Sequence, residues 1–221
     1  MDTRFRTDYA GEFVIVESRR VNGRREETRE WIVNPIENQH ISGRATCIGS
    51  TVDRDEQFNY MRLQRHRGGL LGSKKLQNYG VGEITQEMRL DFAVETNPAK
   101  LEQIIASGYQ ENNVVYTTAN NCIRHPGEFY LIPQYPRLVD IALLPYLAAF
   151  DGHQEIFLLG YNIDTPVESQ HWINQVRAVM DAYPGTVFYC VGQESTMPDT
   201  WLDVANSKCI NYREFISYCD V

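Results

Sequence analysis

Apolar and polar positions along the chain follow two alternating patterns, one typical of helices and one typical of buried strands. The clearest example spans residues 137 to 164. Its first half places apolar residues three and four positions apart, which predicts an amphipathic helix, and Pro145 within it predicts a kink. The turn Asp151-Gly152-His153 ends this helix. The apolar run Ile156-Phe157-Leu158-Leu159 then predicts a strand covered on both faces.

The same alternation recurs along the rest of the chain. Residues 121 to 136 predict little regular structure, and Asn22-Gly23 predicts the turn of a β-hairpin over residues 12 to 33. Strands alternating with helices predict an α/β fold, a Rossmann-like and mainly parallel sheet flanked by helices. Further strands are predicted at residues 43–48, 89–94, 114–118, 186–191 and 208–211, and further helices at 98–108, 167–183 and 198–205.

Length and composition suit one large domain with an elaboration. With 221 residues and 43% apolar side chains, the chain can bury a substantial core. We expect an N-terminal hairpin extension over residues 1–42 and a Rossmann-like nucleotide-binding domain over residues 43–221. No apolar run reaches the roughly 20 residues of a membrane span, and no signal peptide is evident, which predicts a cytoplasmic protein with no membrane partner. The five widely spaced cysteines predict buried free thiols.

Charge is distributed unevenly. Residues 1–80 carry 14 Lys/Arg against 11 Asp/Glu, whereas residues 81–221 carry 7 against 18, so the net charges are +3 and −11. Residues 62–75 contain five cations, three glycines and no acid, which favours binding of phosphates or nucleic acid, although a solvated basic loop has the same composition. Tyr60 and Tyr79, on either side, either stack on bases or pack in the core. The five cations are Arg62, Arg65, Arg67, Lys74 and Lys75.

Small and polar residues follow several of the predicted strands. Ligands of open α/β sheets bind outside the carboxyl ends of the strands, so these residues are candidates for binding a nucleotide. Arg137, at the start of the central helix, is a candidate for holding phosphate, whereas Asp140 is expected on the helix surface. The strand-end candidates are Gly49, Ser50, Thr51, Asn97, Asn120, Gly160, Tyr161 and Asn162.

Three local patterns resemble one enzyme family. Cys47-Ile48-Gly49-Ser50-Thr51 stands where the family has a strand and loop of the form I-x-G-N-G-P-S, and the strand from Phe92 ends in Glu95-Thr96-Asn97-Pro98, an Asn-Pro-type loop. Residues 148–162 are similar to A-x-A-x-x-x-G-x-K-E-I-Y-L-x-G-I-D-F. In this order the patterns resemble the single-Rossmann bacterial sialyltransferases that use CMP-sialic acid, and the related motility-accessory-factor glycosyltransferases. Pro136-Arg137 replaces the Ser-Gly pair that opens the family's long helix.

The resemblance implies a glycosyltransferase whose co-substrate is a UDP- or CMP-linked sugar, with no tightly bound cofactor. In the family a histidine downstream of the Gly-Ile-Asp strand deprotonates the acceptor. His171 lies downstream here, and Glu168 and Asp164 are further candidates for the base. A lone histidine is more often a packed or exposed residue than a base. The chain has no DxD pair suited to a Mg²⁺–nucleotide complex, which predicts a metal-independent mechanism.

The acceptor is the least constrained part of this hypothesis. The basic N-terminal portion favours a hydroxylated base in double-stranded DNA, as in the genome-modifying glycosyltransferases of bacteriophages, which act in the host cytoplasm. A glycan-directed transferase is one alternative. A non-catalytic module that binds nucleotides or nucleic acid on a degenerate Rossmann scaffold is another, favoured by the reduced glycine loop.

Overall fold

A computed structural model of the chain describes residues 12–22, 24–33, 43–49, 76–133, 136–161 and 166–220. Within these residues the strands form one two-stranded sheet and one eight-stranded sheet. Most of the buried apolar side chains belong to the larger sheet and to the helices that cover it.

The N-terminal hairpin is confirmed. Strands β1 (Glu12–Val21) and β2 (Arg24–Val33) pair antiparallel, and Val21 lies opposite Arg24 across a two-residue turn. Asn22 has a φ of 52°, the left-handed conformation that a type I′ turn requires at this position.

The eight-stranded sheet confirms the Rossmann-like prediction. Its strand order is β10-β9-β8-β3-β4-β5-β6-β7, and every adjacent pair is parallel. The strands are β3 (Arg44–Ile48), β4 (Gln77–Val81), β5 (Phe92–Val94), β6 (Val114–Thr117), β7 (Tyr130–Leu131), β8 (Glu155–Leu159), β9 (Val187–Val191) and β10 (Ser207–Ile210).

Six α-helices lie among the described residues. Helix α1 illustrates how the sequence sets its ends. Asn97 caps its N-terminus by accepting a hydrogen bond from the Ala99 N–H, Pro98 occupies the first turn, and Gly108 ends it with a φ of 69°. The helices are α1 (Pro98–Ser107), α2 (Ala119–Arg124), α3 (Asp140–Phe150), α4 (Pro166–Ala182), α5 (Asp199–Leu202) and α6 (Tyr212–Asp220).

Strand β4 was not predicted from the sequence. Its five residues are all buried, yet two of them, Gln77 and Asn78, are polar, so the segment lacks the apolar signal of a central strand. Tyr79 packs in the core, where its hydroxyl group donates a hydrogen bond to Asp151 (2.5 Å). Helix α2 and strand β7 likewise occupy the segment that was expected to lack regular structure.

Helix α3 is buried on all sides from Ala142 to Ala149, which corrects the prediction of an amphipathic helix. The reason is its position, because it packs on the sheet and is also covered by α4. Pro145 lies inside the helix and has no N–H to donate to the Ile141 carbonyl. The Tyr161 hydroxyl group donates to that carbonyl instead, over 2.8 Å.

Candidate functional site

Strands β3 and β8 lie side by side at the position where the strand order reverses, the usual ligand-binding crevice of such sheets. Gly49 follows β3, and its N–H donates to the Leu159 carbonyl over 2.8 Å. A Cβ atom on Gly49 would lie 2.7 Å from the Gly160 carbonyl oxygen. The two strand ends are therefore packed backbone to backbone, and only glycine fits at position 49.

The N-terminus of α3 lies beside these strand ends. The Ile141 side chain approaches within 3.0 Å of the position of a Cβ on Gly49, and Tyr161 is fully buried with its hydroxyl group on the Ile141 carbonyl. Sequence reasoning placed Tyr161 in a nucleotide site. In the structure its hydroxyl group anchors the first turn of α3.

The loop after β5 connects this helix to the centre of the sheet. The Asp140 carboxylate accepts hydrogen bonds from the Thr96 hydroxyl group (2.6 Å) and the Thr96 N–H (3.0 Å). The Glu95 Oε1 accepts from the Asn97 N–H over 2.8 Å. Asn121 on α2 donates to the Thr96 carbonyl (3.0 Å), so the loop is held from both sides.

A cavity of about 460 Å³ opens between this loop and α3. That volume lies within the range of roughly 300–1,000 Å³ found for small-molecule sites. The lining includes two cations, Lys100 and Arg137, and three carboxyl groups, those of Glu83, Glu95 and Asp140. Lys100 is paired with Glu83 (2.6 Å), and this hydrogen bond raises the pKa of the Lys100 ammonium group.

Arg137 combines an exposed side chain with a φ of 58°. A left-handed conformation costs a residue with a Cβ roughly 1–2 kcal/mol, which glycine avoids. The local backbone therefore favours glycine at position 137. In this chain the position places a guanidinium group at the cavity.

Glu95 is the most perturbed acid of the cavity. Its side chain is 1% exposed, and burial raises its pKa from 4.5 to about 7. The Asn97 N–H acts in the opposite direction, while the charge of Asp140 and a hydrogen bond to it raise the pKa further. Glu95 is thus close to half ionised at neutral pH, which is the property needed for proton transfer.

The comparisons with known proteins are sparse. No protein-family model matches the chain, and no curated protein sequence matches it. One solved structure is similar: that of the sialyltransferase CstII from Campylobacter jejuni in complex with a substrate analogue, cytidine-5′-monophosphate. The similarity has a TM-score of 0.44 with 12% sequence identity, and it covers 76% of this chain and 88% of that chain.

The structure brings several of the predicted site residues together, and it places others away from the cavity. Asn97 and Arg137 line the cavity, and Gly49, Gly160 and Tyr161 surround the adjoining turn of α3. Asn120 is exposed on α2 and does not line it. Glu168 lies within α4. The remaining predicted residues lie outside the described residues, and these are Ser50, Thr51, Arg62, Arg65, Arg67, Lys74, Lys75, Asn162 and Asp164.

His171 lies on the exposed side of α4. Its Nε2 is 3.0 Å from the Gln175 Nε2, and the Gln175 Oε1 accepts a hydrogen bond from the Val139 N–H (2.9 Å). Because Val139 lines the cavity, one glutamine side chain connects His171 to the cavity wall.

Sequence reasoning missed Glu95, Thr96 and Asn121, and it placed Asp140 on the helix surface. Glu95 directly follows an apolar strand, so the strand-end rule that selected Asn97 also applied to it. Asp140 is partly buried, and it accepts hydrogen bonds from Thr96, which lies 44 residues away in the sequence. No local pattern indicates such a long-range contact.

The metal independence of the mechanism stays a prediction. The single DxD triplet of the chain, Asp53-Arg54-Asp55, lies outside the described residues. Within the described part, no group of three His, Cys, Asp or Glu side chains is arranged to hold a metal ion. Among these same residues, no helix has the length and apolar character needed to cross a membrane.

Proposed function

We propose that this chain is a nucleotide-sugar-dependent glycosyltransferase whose donor binds in the cavity beside α3. The observation that carries the proposal is the composition of this cavity at the carboxyl edge of the parallel sheet. It combines two cations for a diphosphate or monophosphate, a helix N-terminus and a buried carboxyl group suited to proton transfer. The motif of residues 148–162, which resembles that of sialyltransferases, supports the same assignment.

Each part of the cavity has a role in such a reaction. Arg137 and Lys100 would compensate the charge that develops on the leaving phosphate, and the first turn of α3 would present backbone N–H groups to it. Gly49 and Gly160 would keep the strand ends closely packed against the first turn of α3, which forms the cavity wall. The sugar carbon would then face the carboxyl groups, and the donor would be a UDP- or CMP-linked sugar.

Thermal denaturation with a panel of CMP, UDP, GDP and NAD tests donor binding. A ligand at about 100 times its Kd stabilises the folded state by roughly 2.7 kcal/mol. For a chain of this length, that corresponds to a rise in Tm of roughly 5–10 °C. We expect this rise with UDP or CMP and none with NAD.

Repeating the panel with Mg²⁺ or Mn²⁺ and with EDTA tests the predicted metal independence.

Arg137→Gly is the sharpest variant for this site. Glycine adopts a φ of 58° without strain, so the variant should be at least as stable as the wild type while lacking the guanidinium group. Loss of a charge-assisted hydrogen bond to phosphate should weaken nucleotide binding by roughly tenfold or more. Arg124→Ala, which removes an exposed cation of α2, is the control and should bind normally. Equal binding by both variants would place the phosphate elsewhere.

A non-catalytic nucleotide-binding module is the second candidate. It is favoured by the short Gly49-Ser50-Thr51 loop, which is reduced relative to the family pattern. Release of nucleotide from CMP-sialic acid, UDP-glucose or UDP-N-acetylglucosamine separates the two candidates. Stabilisation by a nucleotide without turnover of any of these sugars would support the binding module.

The acceptor proposed is a hydroxylated base in double-stranded DNA, as in bacteriophage genome modification. Its support is the basic segment of residues 62–75 in the otherwise acidic chain. A glycan acceptor is the alternative. Transfer to DNA that contains hydroxymethylated bases, compared with transfer to unmodified DNA and to a sugar acceptor, distinguishes the two.

A further inference from the structure

Two carboxyl groups from distant parts of the chain meet at the wall of the cavity. Glu95 follows β5, and Asp140 begins α3. Both line the cavity, and one loop bridges them, because Thr96 donates hydrogen bonds to Asp140 and the Asn97 N–H donates to Glu95. Asp140 accepts two hydrogen bonds from Thr96, which hold its carboxylate in place beside the loop that carries Glu95.

The Glu95 side chain is also held in a single position. Its Oε1 accepts the Asn97 N–H, and its Oε2 lies 2.5 Å from where a Cβ on Gly82 would be. The carboxyl group thus occupies the space that a side chain at position 82 would fill. Any residue larger than glycine there would displace Glu95.

We propose that Glu95 is the general base that deprotonates the acceptor and that Asp140 is the residue that positions and tunes it. This inference rests on the proposed glycosyltransferase function. In the reaction, the acceptor O–H bond breaks and its proton moves to Glu95. The acceptor oxygen forms a bond to the anomeric carbon. The bond from that carbon to the phosphate oxygen breaks, and its electron pair leaves with the nucleotide.

The charged groups around Glu95 come from several elements. Asp140 on α3 and Glu83 on the turn after β4 are anionic, whereas Lys100 on α1 and Arg137 before α3 are cationic. Burial and Asp140 raise the pKa of Glu95, and Lys100 and the Asn97 N–H lower it, which places it at about 7. A base with such a pKa is partly ionised at neutral pH and binds a proton more strongly than an ordinary carboxylate does.

The geometry favours Glu95 over His171 for this role. Glu95 lines the cavity directly. His171 is exposed on α4, and Gln175 lies between it and the cavity wall. Both residues enter the experiment because the sequence resemblance suggests the histidine.

The test measures nucleotide release from whichever of the CMP- and UDP-sugars the wild type turns over, as a function of pH. We expect the rate to fall roughly tenfold per pH unit below about pH 7, because protonated Glu95 cannot act as a base. Glu95→Gln should lower kcat by roughly 10²–10⁴-fold and remove this acid limb. It should keep the nucleotide-induced rise in Tm, which shows that it folds and binds.

Two further variants distinguish a base from a structural residue. Glu95→Asp keeps a carboxyl group one methylene further back and should recover part of the rate together with an acid limb. Asp140→Asn removes the neighbouring charge, so the acid limb should move to lower pH. Glu111→Gln, an exposed glutamate outside the cavity, is the matched control and should leave the profile unchanged.

The outcomes separate this inference from the function on which it rests. If Glu95→Gln keeps the acid limb and His171→Asn loses it, the histidine is the base and the inference is wrong. If the wild type binds and turns over a donor but Glu95→Gln does so equally well, the base assignment alone fails. If the wild type binds no nucleotide, the proposed function fails and the assignment fails with it.

Discussion

The Glu95 carboxyl group is buried beside a second carboxyl group, and it accepts a hydrogen bond from one backbone N–H of its own loop. The folded state holds a proton on Glu95 more tightly than the unfolded chain does, because burial and the neighbouring charge outweigh that hydrogen bond. Since the pKa is raised, its contribution to stability is fully present below about pH 4.5 and is lost as the pH rises through about 7.

Glu95→Gln should remove this pH-dependent loss of stability, because the variant has no carboxyl group at position 95. A pKa change from 4.5 to about 7 corresponds to roughly 3 kcal/mol, so the variant's stability relative to the wild type should grow by up to that amount from about pH 4.5 to about pH 8. Urea unfolding at both pH values measures it. Glu111→Gln should show no such trend. A pH-independent difference for Glu95→Gln would mean that Glu95 has an ordinary pKa in the folded protein.

At the scale of elements, helix α3 tolerates a proline because a residue that follows a neighbouring strand supplies the missing donor. Pro145 leaves the Ile141 carbonyl without its helical partner, and Tyr161 after β8 provides the hydroxyl group. This bond also fixes the first turn of α3 against the strand end at Gly160. The position of the cavity wall thus depends on a contact between two elements.

A double-mutant cycle tests this contact. Tyr161→Phe should cost roughly 1–3 kcal/mol, because the partly buried Ile141 carbonyl loses its donor. In a Pro145→Ala background the alanine N–H can take its place, so the cost of Tyr161→Phe should fall and the coupling should be on the order of 1 kcal/mol. Tyr109→Phe, which removes a remote hydroxyl group bonded to the Leu90 N–H, is the control. Its cost should add to that of Pro145→Ala without coupling.

At the scale of the whole molecule, the uneven charge distribution bears on the acceptor. The net charge of −8 opposes general association with DNA, whereas the segment 62–75 is locally cationic. If this segment binds a DNA backbone, replacing its five cations with Gln should weaken binding of a short duplex at low salt. The slope of log K against log salt should also decrease by up to about 0.9 for each phosphate that the variant no longer neutralises.

Fluorescence anisotropy at about 50 and 200 mM salt measures both effects. Replacing Arg124, Lys208 and Arg213, cations of the acidic portion, with Gln is the control and should have little effect on the salt slope. Equal DNA affinity for the wild type and the five-cation variant would contradict the DNA acceptor and favour a glycan.

Local patterns determined much of this protein. The hairpin at Asn22, the capped helix after Asn97 and the alternation of strands with helices follow from turn chemistry and periodicity, which act over a few residues. The same patterns indicated the parallel sheet and the strand ends where Gly49 and Gly160 meet. Arg137 and Asn97 could therefore be predicted at the site from the sequence.

Tertiary structure alone decided the rest. Strand β4 takes its place beside β3 although Gln77 and Asn78 are polar, because pairing on both sides satisfies its backbone. Glu95 and Asp140 come together only when α3 packs over the end of β5, and the burial which that packing causes raises the pKa of Glu95. Periodicity and turn chemistry are local properties, whereas burial and the electrostatic coupling of distant groups exist only once the chain has folded.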